Sequence, residues 1–339
     1  ESEPFAQQAI RTMVRAYAGH LDDGGKALPE VEARILNPEL SAELSTIETL
    51  YACQGFAAEN LRPEFQKQCL AQLETATGVE QFASDMGLLR GTVAYHDKDY
   101  ASAAQHLSVA ASAIDPYLDP DLHIRLVKSL KEIGQNDKAC VGAQGLYMMH
   151  PAHEELISAL KACGPDTKKL TAALDVKRKE MLLAGKLSGA PVAPLNLTLE
   201  NRDVQLNLAS GKTSLVVFFA TWCPHCQDEM PHLVAFQDKL KTNAQLKDKV
   251  QLLGVRTAIE REQEPYAAFQ KRFNVNFPIY TDPAMSLVFQ KFMQDQGKKP
   301  GLPTLAVVDA QGIVRYFMEN GEYRNLEEEL LWALESLTE

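Results

Sequence analysis

Cys223 and Cys226 close the run Phe219-Ala220-Thr221-Trp222-Cys223-Pro224-His225-Cys226. A Cys-x-x-Cys pair either exchanges disulfides or supplies half of a soft-metal site, and its setting decides between them. The apolar run Leu215 to Ala220 has the character of a buried strand, and Pro224 suits the first turn of a helix reaching Leu240. Cys223 then stands at a helix N-terminus, where unsatisfied N–H groups and the positive end of the dipole stabilise a thiolate. Cys226 falls one turn later on the same face, placed to attack a mixed disulfide on Cys223 and release the product. His225 adds a donor or cation beside the sulfur, which favours the thiolate and makes the disulfide more strongly oxidising. The sequence has no second Cys-x-x-Cys and its four other cysteines fall into pairs of their own, which argues against a closed structural zinc site. A copper-handling site built from Cys223, Cys226 and a nearby histidine is the remaining non-catalytic reading.

The chain has six cysteines, and the other four fall into two widely spaced pairs. Ser45 to Asn60 has helical character, Leu61-Arg62-Pro63 breaks it, and Pro63 to Leu73 forms a second helix. Cys53 and Cys69 are equidistant from Leu61, so in an antiparallel hairpin their side chains meet. Cys140 and Cys163 are likewise centred on Pro151-Ala152, next to the interruption Met149-His150-Pro151. Two arrangements fit: two structural disulfides, or four buried free thiols. Disulfides would stabilise by about 3 kcal/mol each and would imply an oxidising compartment.

The elements that position these groups divide into two kinds. From Phe5 to about Leu183 apolar residues recur at helical spacing, giving an all-α domain over residues 1–184. Within it Gly91, Ala103, Leu107 and Ala110, with Tyr95 and Tyr100 flanking a polar turn, resemble a tetratricopeptide repeat. The segment Ile133 to Ala139 echoes that turn 36 residues later, near the family's 34-residue period. An irregular helical bundle fits the same pattern. Stacked repeats would offer a docking or dimerisation face. His150 and His153, preceded by Met148 and Met149, have soft-metal composition, but such residues at a hairpin turn more often cap and pack.

Residues 185–194, rich in Gly, Pro and small residues, mark a linker or extended entry segment. Residues 195–339 then alternate strands and helices: Leu215–Ala220, Val250–Arg256 and Pro278–Tyr280 as strands, and Pro224–Leu240, Tyr266–Phe273 and Met285–Phe292 as helices. The strands Leu305–Asp309 and Ile313–Phe317, joined by Ala310-Gln311-Gly312, precede a last helix from Leu326.

Trp222 to Cys226 resembles a thioredoxin-fold active site, and Gly189 to Leu337 resembles the exported TlpA/ResA-like thiol-disulfide oxidoreductases. The resemblance rests on Gly189-Ala190-Pro191 with Ala193-Pro194, Ala220-Thr221-Trp222-Cys223, Glu229-Met230-Pro231 and Gly301-Leu302-Pro303-Thr304. It implies a cis Pro303 beside the dithiol, with Leu302 and Pro303 pairing with substrate backbone and Trp222 packing beside the site. It also implies Cys223 as nucleophile, Cys226 as resolving thiol, protein thiols and disulfides as partners, and no bound cofactor or metal. Two features depart from the pattern. Thioredoxins bury an acid six residues before the first cysteine, where this chain has Val217. The Pro-His dipeptide resembles DsbA-like oxidases, which leaves the direction of electron flow open. Glu260, Glu262 and Glu264 lie near where the TlpA/ResA-like group places a glutamate, although a solvated helix start accounts for them as well.

A net charge of -11 on 339 residues excludes the electrostatic footprint of a nucleic-acid or anionic-membrane binder. No apolar run approaches the roughly 20 residues of a membrane-spanning helix. The chain begins at Glu1, which fits a mature form whose targeting segment has been cut. The combined expectation is an exported, periplasmic oxidoreductase with an all-α, tetratricopeptide-like domain ahead of an α/β thioredoxin-like domain.

Overall fold

The computed structural model describes residues 49–50, 53, 63–116, 119–283, 286–318 and 325–338. The chain divides into two compact units, Glu1–Leu170 and Thr171–Glu339. The expected start at Phe5, most of the helix Ser45–Asn60 and the break at Leu61-Arg62 lie outside the described residues.

The described part of the first unit is helical: α1 (Pro63–Leu73), α2 (Ala83–His96), α3 (Tyr100–Ala111), α4 (Pro120–Glu132), α5 (Asn136–Met149) and α6 (Glu154–Ala159), followed by a 3-10 turn at Leu160–Cys163. Asp99 caps α3 by accepting the Ser102 N–H at 3.1 Å, and Asp119 caps α4 through the Leu122 N–H at 2.9 Å. The turn between α2 and α3 places Lys98 at φ 62°, and the turn between α4 and α5 places Gly134 at φ 79°. Helices α2 and α3 approach closely because Gly91 has no side chain: a Cβ there would stand 2.6 Å from Leu107 Cδ2 and 2.9 Å from Leu107 N. Ala103, Leu107, Ala110 and Ala139 are fully buried, and the Tyr95 and Tyr100 rings meet edge to face at 5.9 Å. Cys53 is bonded to Cys69 and Cys140 to Cys163, with Cα separations of 6.0 and 4.7 Å. The first bridge is sealed in the core, whereas the second is half-buried and receives the Gln144 amide at 3.0 Å on Cys140 Sγ.

His150 and His153 are buried and hold the turn after α5. His150 Nε2 lies 2.9 Å from the Pro116 carbonyl, His153 Nε2 lies 3.1 Å from Asp121, and His153 Nδ1 accepts the Glu155 N–H.

Helix α7 (Thr167–Ala184) spans the division between units. The second unit continues through β1 (Leu195–Leu199), β2 (Arg202–Leu206), β3 (Thr213–Phe219), α8 (Pro224–Thr242), β4 (Val250–Arg256), α9 (Tyr266–Phe273), β5 (Ile279–Thr281), α10 (Leu287–Asp295), β6 (Thr304–Val308), β7 (Val314–Met318) and α11 (Leu326–Thr338). One sheet runs in the order β2-β1-β5-β4-β3-β6-β7. Strand β3 lies parallel to β4 and antiparallel to β6, and all seven of its residues are buried. Leu215, Val217 and Phe219 face one apolar layer with Phe236, Phe269 and Leu334, while Val216 and Phe218 face another with Phe289 and Phe292. Helices therefore cover both faces, which is why β3 is a continuous apolar run and not an alternating one. Residues 185–194 run beside the last hairpin, where the Leu187 N–H donates to the Arg315 carbonyl at 2.8 Å and the Val192 N–H to that of Gly312 at 2.8 Å.

The β1–β2 hairpin is absent from the strand assignment made on sequence. Its signal is the alternation of Leu195, Leu197 and Leu199 against Val204 and Leu206. Its turn, Glu200-Asn201, adopts positive φ at both residues (49° and 61°) without the glycine that usually marks such a turn.

Candidate active site

The position of Cys223 follows from the sheet. Strand β3 ends at Phe219, the Cys223 N–H turns back to the Ala220 carbonyl at 3.2 Å, and Pro224 opens α8 with Cys223 as its N-cap residue. Strand β6 runs antiparallel to β3 with Thr304 opposite Phe218, so the residues just before Thr304 abut those just after Phe219. Those residues are Leu302 and Pro303, joined by a cis peptide bond. The Cys223 thiol lies 3.8 Å from the Leu302 carbonyl oxygen, 79 residues away in sequence.

Both cysteines are free thiols, 7 % exposed at Cys223 and 1 % at Cys226. Burial pushes the Cys226 thiol far above its ordinary range; its neighbour Cys223 and the charge of Glu229 add to the rise, while a backbone contact at Ala220 opposes it. Cys226 is thus held as a protonated thiol beneath the more accessible Cys223.

Trp222 is half-buried, packs on the layer containing both cysteines, and donates its indole N–H to the Ala258 carbonyl at 3.0 Å. Ala258 is in the left-handed region (φ 53°), and its N–H donates to Ser286 Oγ at 3.0 Å. Gln227 donates to the Thr221 carbonyl at 2.6 Å, tying the first turn of α8 to the strand end. His225 is exposed.

The acidic cluster divides by partner. Glu262 pairs with Arg256 at 3.4 Å and Glu264 with Arg272 at 2.6 Å, whereas Glu260 is exposed. Val217 is fully buried on β3, so no acid stands at that position. Glu229, 5 % exposed on α8 one turn beyond Cys226, is a buried carboxylate close to the dithiol. Sequence reasoning used Glu229 only as part of a motif. Its three-residue spacing from Cys226, which puts both on one helical face, was the available signal. Arg261 was also missed: its guanidinium carbon lies 5.0 Å from the centre of the Trp222 ring, and no local pattern announces that contact.

A dithiol at a helix N-terminus, on a sheet with helices on both faces and beside a cis proline, defines a thioredoxin-like domain. Residues 189–317 match the AhpC/TSA family. The thioredoxin-like protein YneN of Bacillus subtilis is 28 % identical over 119 residues, 35 % of this chain and 62 % of that protein. The thiol-disulfide oxidoreductase ResA of Halalkalibacterium halodurans is 25 % identical over 136 residues, covering 39 % and 68 %. Sporulation thiol-disulfide oxidoreductase A of Bacillus subtilis is 30 % identical over 98 residues, covering 29 % and 56 %. The chain thus spans roughly three-fifths of the length of these curated relatives. Among solved structures, StoA from Bacillus subtilis aligns with 43 % of this chain and 99 % of its own, at 23 % identity and a TM-score of 0.32. Among the described residues no helix is long and apolar enough to cross a membrane.

Proposed function

We propose that this protein is a thiol-disulfide oxidoreductase acting on protein thiols and disulfides, and that it works as a TlpA-like reductase in an exported, periplasmic setting. The observation that carries the reading is the juxtaposition of the Cys223 thiol with the carbonyl of Leu302 before the cis proline, above a buried Cys226. The chemistry needs two sulfurs and a backbone edge that presents the substrate, so no bound cofactor enters it. Cys223 attacks a substrate disulfide, Leu302 and Pro303 align the substrate's main chain, and Cys226 attacks Cys223 Sγ to release the product as a thiol. Trp222 walls the site, and His225 stands exposed at the start of α8 between the two cysteines. The exported setting is supported by two disulfides in the helical unit, since such bonds persist outside reducing cytosol. That unit would serve as a tetratricopeptide-like docking or dimerisation platform.

The exposed His225 between the cysteines favours a second reading, a DsbA-like oxidase or isomerase. Equilibration in graded glutathione buffers, followed by alkylation and mass spectrometry of each cysteine, separates the two. A Cys223–Cys226 potential near about -270 mV gives the reductase and one near about -120 mV the oxidase. Failure of this pair to form a disulfide at any poise would overturn both.

The buried Cys226 also sets a pH dependence. Its thiol lies above the working range, so the thiolate fraction, and with it the rate of mixed-disulfide resolution, rises about tenfold per pH unit from pH 6 to 9 without a plateau. In Glu229→Gln, loss of the adjacent negative charge lowers the Cys226 thiol and speeds resolution at pH 7, measured by rapid-quench alkylation. Slower resolution in that variant would mean instead that Glu229 takes the proton from Cys226.

A further inference from the structure

Arg261 ends the 3-10 turn Ile259–Arg261 with its side chain exposed and its guanidinium over the outer ring of the active site, 5.0 Å from the centre of the Trp222 indole. Nearby arginines are committed: Arg256 to Glu262, and Arg272 to Glu264. Among the described residues no carboxylate pairs with Arg261. Trp222 precedes Cys223 directly, so a residue one or two positions from an attacked sulfur, at about 3.3–3.6 Å per residue, comes within reach of the guanidinium. Exposed charges of both signs lie close by in sequence: Glu260 precedes Arg261, Asp228 follows Cys226 by two residues, and Lys299 precedes Leu302 by three.

We infer that Arg261, seated on Trp222, is a specificity residue that selects substrates with an acidic side chain next to the exchanging cysteine. The inference rests on the oxidoreductase reading and names its substrate class. With its central carbon 5.0 Å from the ring centre and no carboxylate partner among the described residues, the guanidinium retains N–H groups for bidentate capture of a carboxylate. With a disulfide-linked peptide the steps balance as follows. Cys223 thiolate attacks one peptide sulfur, the peptide S–S bond breaks, and one peptide thiolate leaves and takes up a proton. Cys226, having lost its proton to solvent, attacks Cys223 Sγ and expels the second peptide thiolate. The protein is oxidised by two electrons and the peptide disulfide is reduced to two thiols. Arg261 takes no part in bond making; it holds the flanking carboxylate.

The test uses the full chain in reduced form and three disulfide-linked peptide homodimers that differ only in carrying Glu, Gln or Lys beside the cysteine. Each rate is divided by the same peptide's rate with dithiothreitol, which removes intrinsic reactivity. The native chain should favour the Glu peptide over the Lys peptide about fivefold at low salt, with the ratio shrinking at high salt. Arg261→Gln should bring the ratio to about one, and Arg261→Glu should invert it. Because the readout is a ratio, a general loss of activity does not mimic the result. An unchanged ratio in Arg261→Gln, or no preference in the native chain, would overturn the proposal while leaving the oxidoreductase reading intact. No reaction of the native chain with any of the three peptides would overturn that reading, and the proposal with it.

Discussion

Cys226→Ser will accumulate a covalent adduct with a disulfide-linked peptide, visible as a mass increase of one peptide thiol on Cys223, while Cys223→Ser forms none. The order of attack follows from access. Cys223 is the N-cap residue of the helix beside Leu302 and is 7 % exposed, whereas Cys226 is 1 % exposed and held protonated by burial. Without Cys226 the first exchange proceeds and the second has no attacking sulfur. Without Cys223 no thiolate is presented, and turnover should fall by at least about a thousandfold, the scale on which removal of a nucleophile acts. Intact-mass spectrometry after acid quench reads both outcomes. An adduct on Cys226 in Cys223→Ser would reverse the assigned roles.

The second large effect is on stability. Arg178 on α7 has a side chain only 3 % exposed; it pairs with Glu329 at 2.9 Å, Glu328 at 3.3 Å and Asp175 at 3.1 Å, and lies 5.3 Å from the Trp332 ring. Its position fastens α7 to α11 through an ion cluster in which Glu329 is 9 % exposed at the side chain. Arg178→Ala leaves that carboxylate buried without its cation and should cost about 3–5 kcal/mol. The loss should also depend on pH. Burial already raises the Glu328 carboxyl, Asp175 adds to the rise, and Arg178 opposes it. Removing the opposing charge raises it further, so the folded variant binds more protons than the unfolded chain. Its stability is then retained below the unfolded carboxylate range near pH 4 and lost as pH rises through the folded value. Both tryptophans, Trp222 and Trp332, belong to the second unit, so fluorescence during urea unfolding reports on that unit. The paired change Arg178→Met with Glu329→Leu should recover most of the loss, because replacing a buried ion pair with apolar packing is often neutral or better. A loss under about 1 kcal/mol for Arg178→Ala would show that the cluster is solvated.

Several elements were readable from local pattern alone. Val250–Arg256 and Tyr266–Phe273 fall at the residues where apolar spacing put them, and the last helix begins at Leu326. Their signals are short-range: apolar period, a proline at a helix start, a turn between runs. The hairpin β1–β2 was not readable in the same way, because Glu200-Asn201 reaches positive φ without glycine. Strand β5, expected at Pro278–Tyr280, lies at Ile279–Thr281, its bounds set by its pairing with β4 and β1. In the site, the dithiol was visible as residue types and spacing and Pro303 through the family resemblance, whereas the division of the acidic cluster was not. Glu262 and Glu264 find arginines by folding, and nothing in their alternation distinguishes them from Glu260.

By itself the sequence determined the pieces whose causes are local: a thiol at the end of an apolar strand, a second thiol one helical turn on, and a proline opening the helix between them. These follow from chain stiffness, hydrogen-bond periodicity and the helix dipole, all of which act over a few residues. Only the tertiary structure decided which distant groups surround that dithiol. The antiparallel register of β6 against β3 brings Leu302 to Cys223, the loop after β4 carries Arg261 over Trp222, and helix packing buries Cys226 with Glu229. Burial and long-range contact are properties of the assembled core, where a residue's charge state and partners depend on neighbours tens of positions away.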